Sequence, residues 1–417
     1  MARIVLLSWG SHGDVLPCVA LAHALRVAGH AVLIGAQPYH AAFVRSHGLD
    51  FHALGGETSV ARYQQLMDDL IAETNPRKQL RDLLQTLLLP DLEAQYQDAL
   101  AAVAQADLVI AHWMQLAGMM AAETLGCACV SFSLNPLGIG VVAEGRAADA
   151  ARHLGKMLSD AIWGDEFHRF RALHRLPPVA SVADYQYSKQ LNLLAVSPAL
   201  LPEHADFEPQ HRVTGFWHAP EAAAWTPAEP LSAFLNAPGG SAPVVFTFGS
   251  MGGRAAEMSA LVVAAVARVG CRAILQGGWA GLVAEGGAGG AGGQILCVDY
   301  VPHDFLFSHA ACVVHHGGAG VTASALRAGV PSVIVWHMLD QPYWGQLLAN
   351  QGLGPKPLAR HGLCVDDLAE RMIEALTQTA FAGRCREMAR SLAEEQGVAR
   401  AVHEIERFLQ AEGSGAD

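Results

Sequence analysis

Charged side chains are scarce in this chain of 417 residues: Asp, Glu, Lys and Arg together make up 16%, whereas hydrophobic residues make up 52%. A composition so rich in apolar residues supports large buried cores and argues against a disordered protein. The formal net charge is −12, and no run of Lys or Arg occurs. We therefore expect no nucleic-acid-binding surface and at most peripheral contact with a membrane.

The chain also lacks long apolar runs and paired cysteines. No apolar stretch is long enough to span a bilayer. Residues 1–9 lack the charged start and extended apolar core of a signal peptide. The cysteines have no spacing typical of a metal site or a disulfide framework, so we expect a cytoplasmic protein whose thiols are all reduced and buried. They are Cys18, Cys127, Cys129, Cys271, Cys297, Cys312, Cys364 and Cys385.

Strand and helix patterns alternate along the first half of the chain, which is typical of a parallel, doubly wound sheet. Short apolar runs predict strands at 3–8, 30–35, 49–54, 107–111, 128–132, 193–196 and 212–214. Periodic patterns predict helices at 16–28, 116–125 and about 147–175, and a helical region over 60–104.

A proline-rich segment follows, and we interpret residues 218–242 as a linker between domains 1–217 and 243–396. Two domains also agree with a usual size of about 150 residues each. The glycine-rich stretch 286–293 precedes a strand rather than a helix, which favours a surface loop over a phosphate-binding loop. In the second half, strands are predicted at 244–248, 273–276, 295–298, 310–314 and 332–335, and helices at 255–268, 319–328 and 398–410.

The most informative motif is HHGGAGVTASAL, from His315 to Leu326. Its place after the predicted strand 310–314 indicates a glycine turn that leads into a helix. The first N–H groups of a helix lack partners and suit a phosphate, and glycines allow a pyrophosphate to approach the backbone. Two histidines add hydrogen bonds and positive charge. An ordinary turn between strand and helix is the alternative, but the downstream pair Asp340-Gln341 favours a nucleotide-sugar site.

Two segments resemble one enzyme family. The stretch HHGGAGVTASALRAGVPSVIVWHMLDQPYWGQ is similar to the donor-binding segment of inverting GT-B glycosyltransferases of the GT1 type. The resemblance is strongest to the branch of sterol glucosyltransferases, antibiotic glycosyltransferases and the rhamnosyltransferase of rhamnolipid synthesis. GSHGDVLP, from Gly10 to Pro17, resembles the amino-terminal loop of the same family. This implies two Rossmann-like α/β domains facing a central cleft, with residues 397–417 packed back on the first domain.

The resemblance also implies which residues hold the donor. His316 matches a His that contacts the phosphate, Ser250 is placed for the second phosphate, and Trp279 resembles the residue that stacks on the base. Asp340 and Gln341 match a pair that binds sugar hydroxyls. The alternative role of Asp340 is to cap a helix over 341–351, which is compatible with sugar binding. At Trp336-His337 relatives often carry Pro, so the sugar preference stays open. The other implied donor contacts are Ser11, Gly13, Val301, His303, His315, Gly318, Gly320 and Val321.

Inversion requires a general base that takes the proton of the acceptor hydroxyl. Asp14 is our first candidate, because it lies in a glycine-flanked loop and aligns with the base of related enzymes. Its alternative role is to cap the helix that starts near Val15. His12 is the competitor, since its unperturbed pKa suits a base better. His112 occupies a position comparable to the Asp that orients a His base in plant-type relatives, and it is either a catalytic partner or a groove residue.

No Asp-x-Asp motif occurs, the pair with which metal-dependent glycosyltransferases hold a cation on the diphosphate. We therefore expect a metal-independent enzyme that needs no cofactor and transfers a hexose from a UDP- or dTDP-sugar, with UDP-glucose favoured. The acceptor is a hydroxyl of a lipophilic sterol, lipid or natural product, bound by Trp113, Met114 and Phe132 unless these are core residues. The alternatives are a UDP-sugar epimerase of the same fold and a non-catalytic nucleotide-sugar-binding protein.

Overall fold

The chain divides into two compact units. The first comprises Met1–Val60, Leu80–Pro220 and Glu395–Asp417, and the second comprises Ala61–Gln79 and Glu221–Glu394. Residues 61–79, which we expected within the first domain, thus group with the second unit. The computed structural model describes residues 1–57, 60–139, 145–202, 207–218, 225–249, 254–278, 281–283 and 294–414.

A seven-stranded sheet forms the centre of the first unit, in the order β3-β2-β1-β4-β5-β6-β7. All of its strand pairs are parallel. The strand order reverses between β1 and β4, and α/β proteins bind ligands beside the carboxyl ends of strands at such a point. The strands are β1 Arg3–Leu7, β2 Ala31–Ala36, β3 Asp50–Ala53, β4 Leu108–His112, β5 Ala128–Ser133, β6 Asn192–Leu194 and β7 His211–Val213.

Helices connect these strands, as the alternation in the sequence predicts. The first helix begins at His12 and not near Leu16, so the loop that follows β1 is three residues shorter than expected. The helices up to β7 are α1 His12–Val27, α2 Ala41–Ser46, α3 Val60–Ala72, α4 Pro76–Leu83, α5 Leu92–Val103, α6 Leu116–Leu125, α7 Gly145–Leu173 and α8 Val182–Tyr185. A π-helical turn, Leu84–Leu88, follows α4.

The second unit is built on a six-stranded parallel sheet in the order β10-β9-β8-β11-β12-β13. Neighbouring residues of one strand enter opposite cores: Val244 and Phe246 pack on one face, and Val245 packs on the other. Both faces are therefore covered, as parallel sheets require. The order reverses between β8 and β11. The strands are β8 Val244–Thr247, β9 Ala273–Gln276, β10 Ile295–Val298, β11 Cys312–His315, β12 Ser332–Trp336 and β13 Leu358–Ala359.

The remaining helices include several that we did not predict. One of them, α9, lies inside the expected linker, where Pro230 occupies the first turn, a place that suits proline. The last helix, α16, belongs to the first unit. The helices are α9 Glu229–Leu235, α10 Ala255–Val269, α11 His303–Ser308, α12 Ala319–Ala328, α13 Gln341–Gln351, α14 Val365–Thr377, α15 Thr379–Ala393 and α16 Gly397–Ser414.

The doubly wound α/β architecture predicted from the sequence is confirmed in both units. Among the described helices, none combines the length and the apolar character needed to cross a membrane. All eight cysteines are free thiols, as expected, but their predicted burial is only partly right: Cys364 is exposed and lies at the start of α14. The expected glycine-rich loop 286–293 lies outside the described residues.

Candidate functional site

The start of α12 offers backbone donors that have no partner among the described residues. Gly318 is the N-cap residue, and the glycine turn before it contains Gly317 with a φ of 88°. The amide groups of Gly318, Gly320 and Val321 donate no hydrogen bond to any residue that the structure describes. Because α12 starts beside the carboxyl end of β11, where the strand order reverses, these amides and the positive end of the helix dipole suit an anionic group.

His316 lies between two glycines that make room for its imidazole. A Cβ atom at Gly318 would lie 2.5 Å from Nε2, and one at Gly249 would lie 3.1 Å from Cε1. The Nδ1 atom is buried and has no hydrogen-bond partner. Burial, followed by the nearby His303, lowers the pKa of His316 to about 4. The ring is therefore neutral at pH 7, and the expected positive charge is wrong. A bound anion would favour protonation.

His315 is the last residue of β11 rather than part of the turn, and its side chain is fully buried. Its Nδ1 accepts a hydrogen bond from the amide of Gly317 at 3.1 Å, so the ring proton resides on Nε2. That Nε2 is buried without a partner. Burial also holds the pKa of His315 well below its usual value. His315 thus stabilises the turn that carries His316.

The residues after β12 form a tightly bonded turn. The Oε1 of Gln341 accepts hydrogen bonds from the backbone amides of His337 at 2.7 Å and Met338 at 3.1 Å. Asp340 is the N-cap residue of α13, but its side chain makes no capping bond. Its Oδ2 instead accepts from the indole Nε1 of Trp344 at 2.9 Å. The alternative of a side-chain cap is therefore wrong, and both side chains are held in place before any ligand binds.

Other predicted donor contacts are only partly covered by the structure. Ser250 and Trp279 lie outside the described residues. Val301 is buried, and its carbonyl accepts a hydrogen bond from Nε2 of Gln276 at 3.1 Å. His303 begins α11 and stacks on Phe307, with ring centroids 4.5 Å apart. Within the described part of the chain, no three His, Cys, Asp or Glu side chains come together in a way that could hold a metal ion.

Asp14 in the first unit closes a capping box at the start of α1. Its Oδ2 accepts hydrogen bonds from the backbone amide of Ser11 at 2.7 Å and from the Ser11 hydroxyl at 3.0 Å. The Ser11 hydroxyl in turn accepts from the amide of Gly13 at 3.2 Å. Capping is therefore one role of Asp14, and the side chain of Ser11 serves the same motif. The carboxylate is half-buried and fixed at the carboxyl end of β1.

The two candidate histidines of the first unit are neutral at physiological pH. Burial and the nearby His47 lower the pKa of His12 to about 4, and its ring packs on Phe43 at 3.9 Å. Burial lowers the pKa of His112 to about 3. His112 ends β4, is 4% exposed and has a buried Nδ1 without a partner. We expected the pKa of His12 to suit a general base better than that of Asp14. This expectation is wrong, because burial lowers the pKa of His12 to about 4.

The three predicted acceptor residues follow β4 or lie in β5. Phe132 is fully buried and packs between His112 and Trp217, with centroids 5.2 Å from each ring. Met114 is buried too, whereas Trp113 is half-buried and stacks on Tyr187 at 6.1 Å. Phe132 and Met114 therefore pack as core residues, and Trp113 has the more accessible ring.

Comparison with known proteins identifies the family. Residues 4–136 match the glycosyltransferase family 28 N-terminal domain, and residues 287–409 match the C-terminal domain of erythromycin biosynthesis protein CIII-like proteins. The chain is 30% identical to O-mycaminosyltylonolide 6-deoxyallosyltransferase from Streptomyces fradiae, with 98% of both chains covered. The chain belongs to this glycosyltransferase family. The chain is also 30% identical to two sterol 3-beta-glucosyltransferases from Arabidopsis thaliana, UGT80A2 and UGT80B1. The match covers 98% of this chain but only 66% of UGT80A2 and 68% of UGT80B1.

Solved structures agree with this assignment at the level of the fold. The calicheamicin glycosyltransferase CalG4 superimposes with a TM-score of 0.73 at 19% identity, with 98% of each chain covered. VinC in complex with dTDP gives a TM-score of 0.67 at 20% identity and covers 98% of this glycosyltransferase and 100% of VinC. The fold is GT-B, as the sequence motifs imply.

Gly318 offers a direct test of the His316 pocket. We expect Gly318→Ala to weaken binding of UDP or dTDP about tenfold, because the new Cβ at 2.5 Å would displace the His316 ring, and a tenfold change corresponds to about 1.4 kcal/mol. Gly383→Ala in α15 is the matched control, since a Cβ there meets no atom within 4 Å. Calorimetric titration with both nucleotides measures the effect. Unchanged affinity in Gly318→Ala would show that the position of His316 is irrelevant to the nucleotide.

Proposed function

We propose that this glycosyltransferase moves a hexose from a UDP- or dTDP-sugar, first of all UDP-glucose, to a hydroxyl of a lipophilic small molecule, with inversion and without a metal ion. The second unit holds the donor, and the first unit supplies the base and the acceptor contacts. The observation that carries this proposal is the set of amides at the start of α12 that donate to no described residue, together with the Nδ1 of His316, which is buried without a partner among the described residues.

The chemistry of such a site is a single displacement. The acceptor oxygen forms a bond to the anomeric carbon while the bond from that carbon to the phosphate oxygen breaks, and the nucleoside diphosphate leaves with the electron pair. The acceptor proton passes to a base, for which Asp14 remains our first candidate. Amides fixed before the reaction stabilise the charge that develops on the leaving group without reorganisation. A neutral His316 contributes a hydrogen bond and gains a proton more easily as that charge grows.

The acceptor class rests on the relatives. The Streptomyces relative is named for a tylonolide acceptor, and the Arabidopsis relatives are named for sterols. Sterols and a tylonolide are hydroxyl-bearing molecules with large apolar frameworks. The half-buried Trp113, stacked on Tyr187, is the aromatic surface of the first unit that we propose contacts such a framework.

A donor and acceptor screen in the presence of EDTA tests the proposal. We expect UDP-glucose or a dTDP-hexose to give a product whose mass is that of the acceptor alcohol plus one hexose minus water, at the same rate with and without the chelator. Free nucleoside diphosphate should appear only when acceptor is added. Loss of activity in EDTA that Mg²⁺ restores would contradict the metal-free mechanism. Conversion of the donor to another UDP-sugar without acceptor would contradict transfer itself.

A further inference from the structure

His337 directly follows β12 and is held on three sides. Its backbone amide donates to Oε1 of Gln341 at 2.7 Å, and its carbonyl accepts from Nε2 of Gln79 at 3.4 Å. Its ring Nδ1 donates to the carbonyl of Val335 at 2.9 Å. Because the backbone and one ring nitrogen are fixed in this way, the orientation of the imidazole is set by the protein alone.

The remaining ring nitrogen has a defined chemical character. Since Nδ1 carries the proton that is donated to Val335, Nε2 presents a lone pair. It forms no hydrogen bond with any described residue, and the residue as a whole is 5% exposed. A rigid acceptor that has no partner among the described residues suits a hydroxyl group of a ligand.

The surroundings keep the ring neutral and place it in the donor region. Trp336 on β12 pairs with Ala359 on β13, and His337 and Arg360 are the residues that follow this pair. The amide of Arg360 donates to the carbonyl of Trp336 at 2.8 Å. Burial first, and then electrostatic repulsion from protonated His316 and from Arg360, lower the pKa of His337 to about 3, so the ring is neutral at pH 7. The ring also packs on Phe248 at the end of β8, with centroids 5.5 Å apart. His337 is therefore grouped with the ends of β8, β11 and β13.

We infer that His337 is a specificity-determining residue whose Nε2 accepts a hydrogen bond from one hydroxyl of the donor sugar. The inference rests on the proposed function, because it requires a nucleotide-activated hexose beside His316. It adds a third contact to Asp340 and Gln341, whose side-chain oxygens are already engaged with Trp344 and with the turn. A neutral acceptor discriminates by hydrogen bonding, so a donor that lacks the contacted hydroxyl leaves Nε2 unsatisfied.

Two variants separate the hydrogen bond from His337 Nδ1 to Val335 from the role of Nε2 as a hydrogen-bond acceptor. His337→Asn keeps a short amide that reaches Val335 but has no atom at the place of Nε2, whereas His337→Gln puts an amide oxygen near that place. We expect His337→Asn to lower kcat/KM for UDP-glucose about tenfold, mainly through donor KM, and His337→Gln to lose less than about threefold. The same assay uses UDP-glucose analogues that each lack one hydroxyl, at position 2, 3, 4 or 6. For the analogue that lacks the contacted hydroxyl, His337→Asn should leave kcat/KM unchanged from the wild type.

Calorimetric titration supplies a readout that does not depend on turnover: affinity for UDP-glucose should fall in His337→Asn, and affinity for UDP should stay unchanged. His309→Asn is the matched control, because His309 makes the same type of bond to a carbonyl, that of Phe305 at 2.8 Å, but is exposed. The inference would be overturned if His337→Asn lowered kcat/KM equally for every analogue, or if His337→Gln lowered it as much as His337→Asn. It would also be overturned if His337→Asn bound UDP more weakly than the wild type. A wild-type protein that transfers no hexose would instead refute the proposed function.

Discussion

Replacing Asp14 with Asn should lower kcat about 10²–10⁴-fold, the usual contribution of general base catalysis. The amide oxygen of Asn still accepts a hydrogen bond from the backbone of Ser11, so the capping box at the start of α1 is largely retained. UDP affinity should therefore remain within about twofold of the wild type, because no bond to the donor is removed. Single-turnover rates with UDP-glucose and an accepted alcohol, together with calorimetric UDP binding, measure both quantities.

The rival candidates predict a different pattern. If His112 or His12 were the base, Asn at that position would abolish turnover and Asp14→Asn would affect mainly the melting temperature. The pKa values of both rings, about 3 and about 4, lie below the assay range. If either ring were the base, kcat would therefore not fall between pH 8 and pH 6, because the ring stays unprotonated over that range. Asp14→Asn with kcat within about threefold of the wild type would reduce Asp14 to a helix cap.

The strands could be predicted from the sequence because their signal is local. In β4 and β11 every residue is buried, and a short apolar run between polar turns is how a strand covered on both faces is recognised. The start of α1 was missed although its signal is also local. Ser11 followed by Asp14 has the spacing of a capping box, and the glycines on either side suggested a loop instead.

Other features of the site could not be predicted, because they depend on contacts far apart in the chain or on burial. Gln79 bonds to the carbonyl of His337 across 258 positions, and no periodicity in the sequence links the two. The charge of a histidine is equally non-local. The sequence suggested that His316 adds positive charge, but the ring lies close to Gly249 and Gly318 and is buried, and burial lowers its pKa.

Replacing Glu123 with Gln should destabilise the first unit by about 3 kcal/mol, the lower end of the cost of breaking a buried ion pair. Arg171 is 1% exposed and donates to both carboxylate oxygens of Glu123, at 2.8 and 2.9 Å. Tyr185 donates to the same carboxylate at 2.7 Å. These bonds join α6, α7 and α8. Without the carboxylate, Arg171 stays buried with its charge unmatched, and urea denaturation at pH 7 measures the loss.

The partner variants and the pH dependence show whether charge pairing is the cause. Arg171→Met should cost less than Glu123→Gln, because the Glu123 side chain is 29% exposed and can be hydrated. The double variant, Glu123→Gln with Arg171→Met, should lose less free energy of unfolding than the two single variants lose together. Asp366→Asn, which breaks an exposed pair with Arg268 at 3.1 Å, is the control and should cost less than about 1 kcal/mol.

Burial alone would raise the pKa of Glu123, but the hydrogen bonds from Arg171 and Tyr185 outweigh it and lower the pKa below its usual value. A carboxylate whose pKa is lowered by folding stabilises the protein above its unfolded pKa, about 4.3, and this stability is lost as the pH falls through the folded value. The difference between wild type and Glu123→Gln should thus be constant from pH 7 to about 5 and shrink below that. A difference that stays the same down to pH 3 would mean that packing, rather than the carboxylate charge, holds the three helices together.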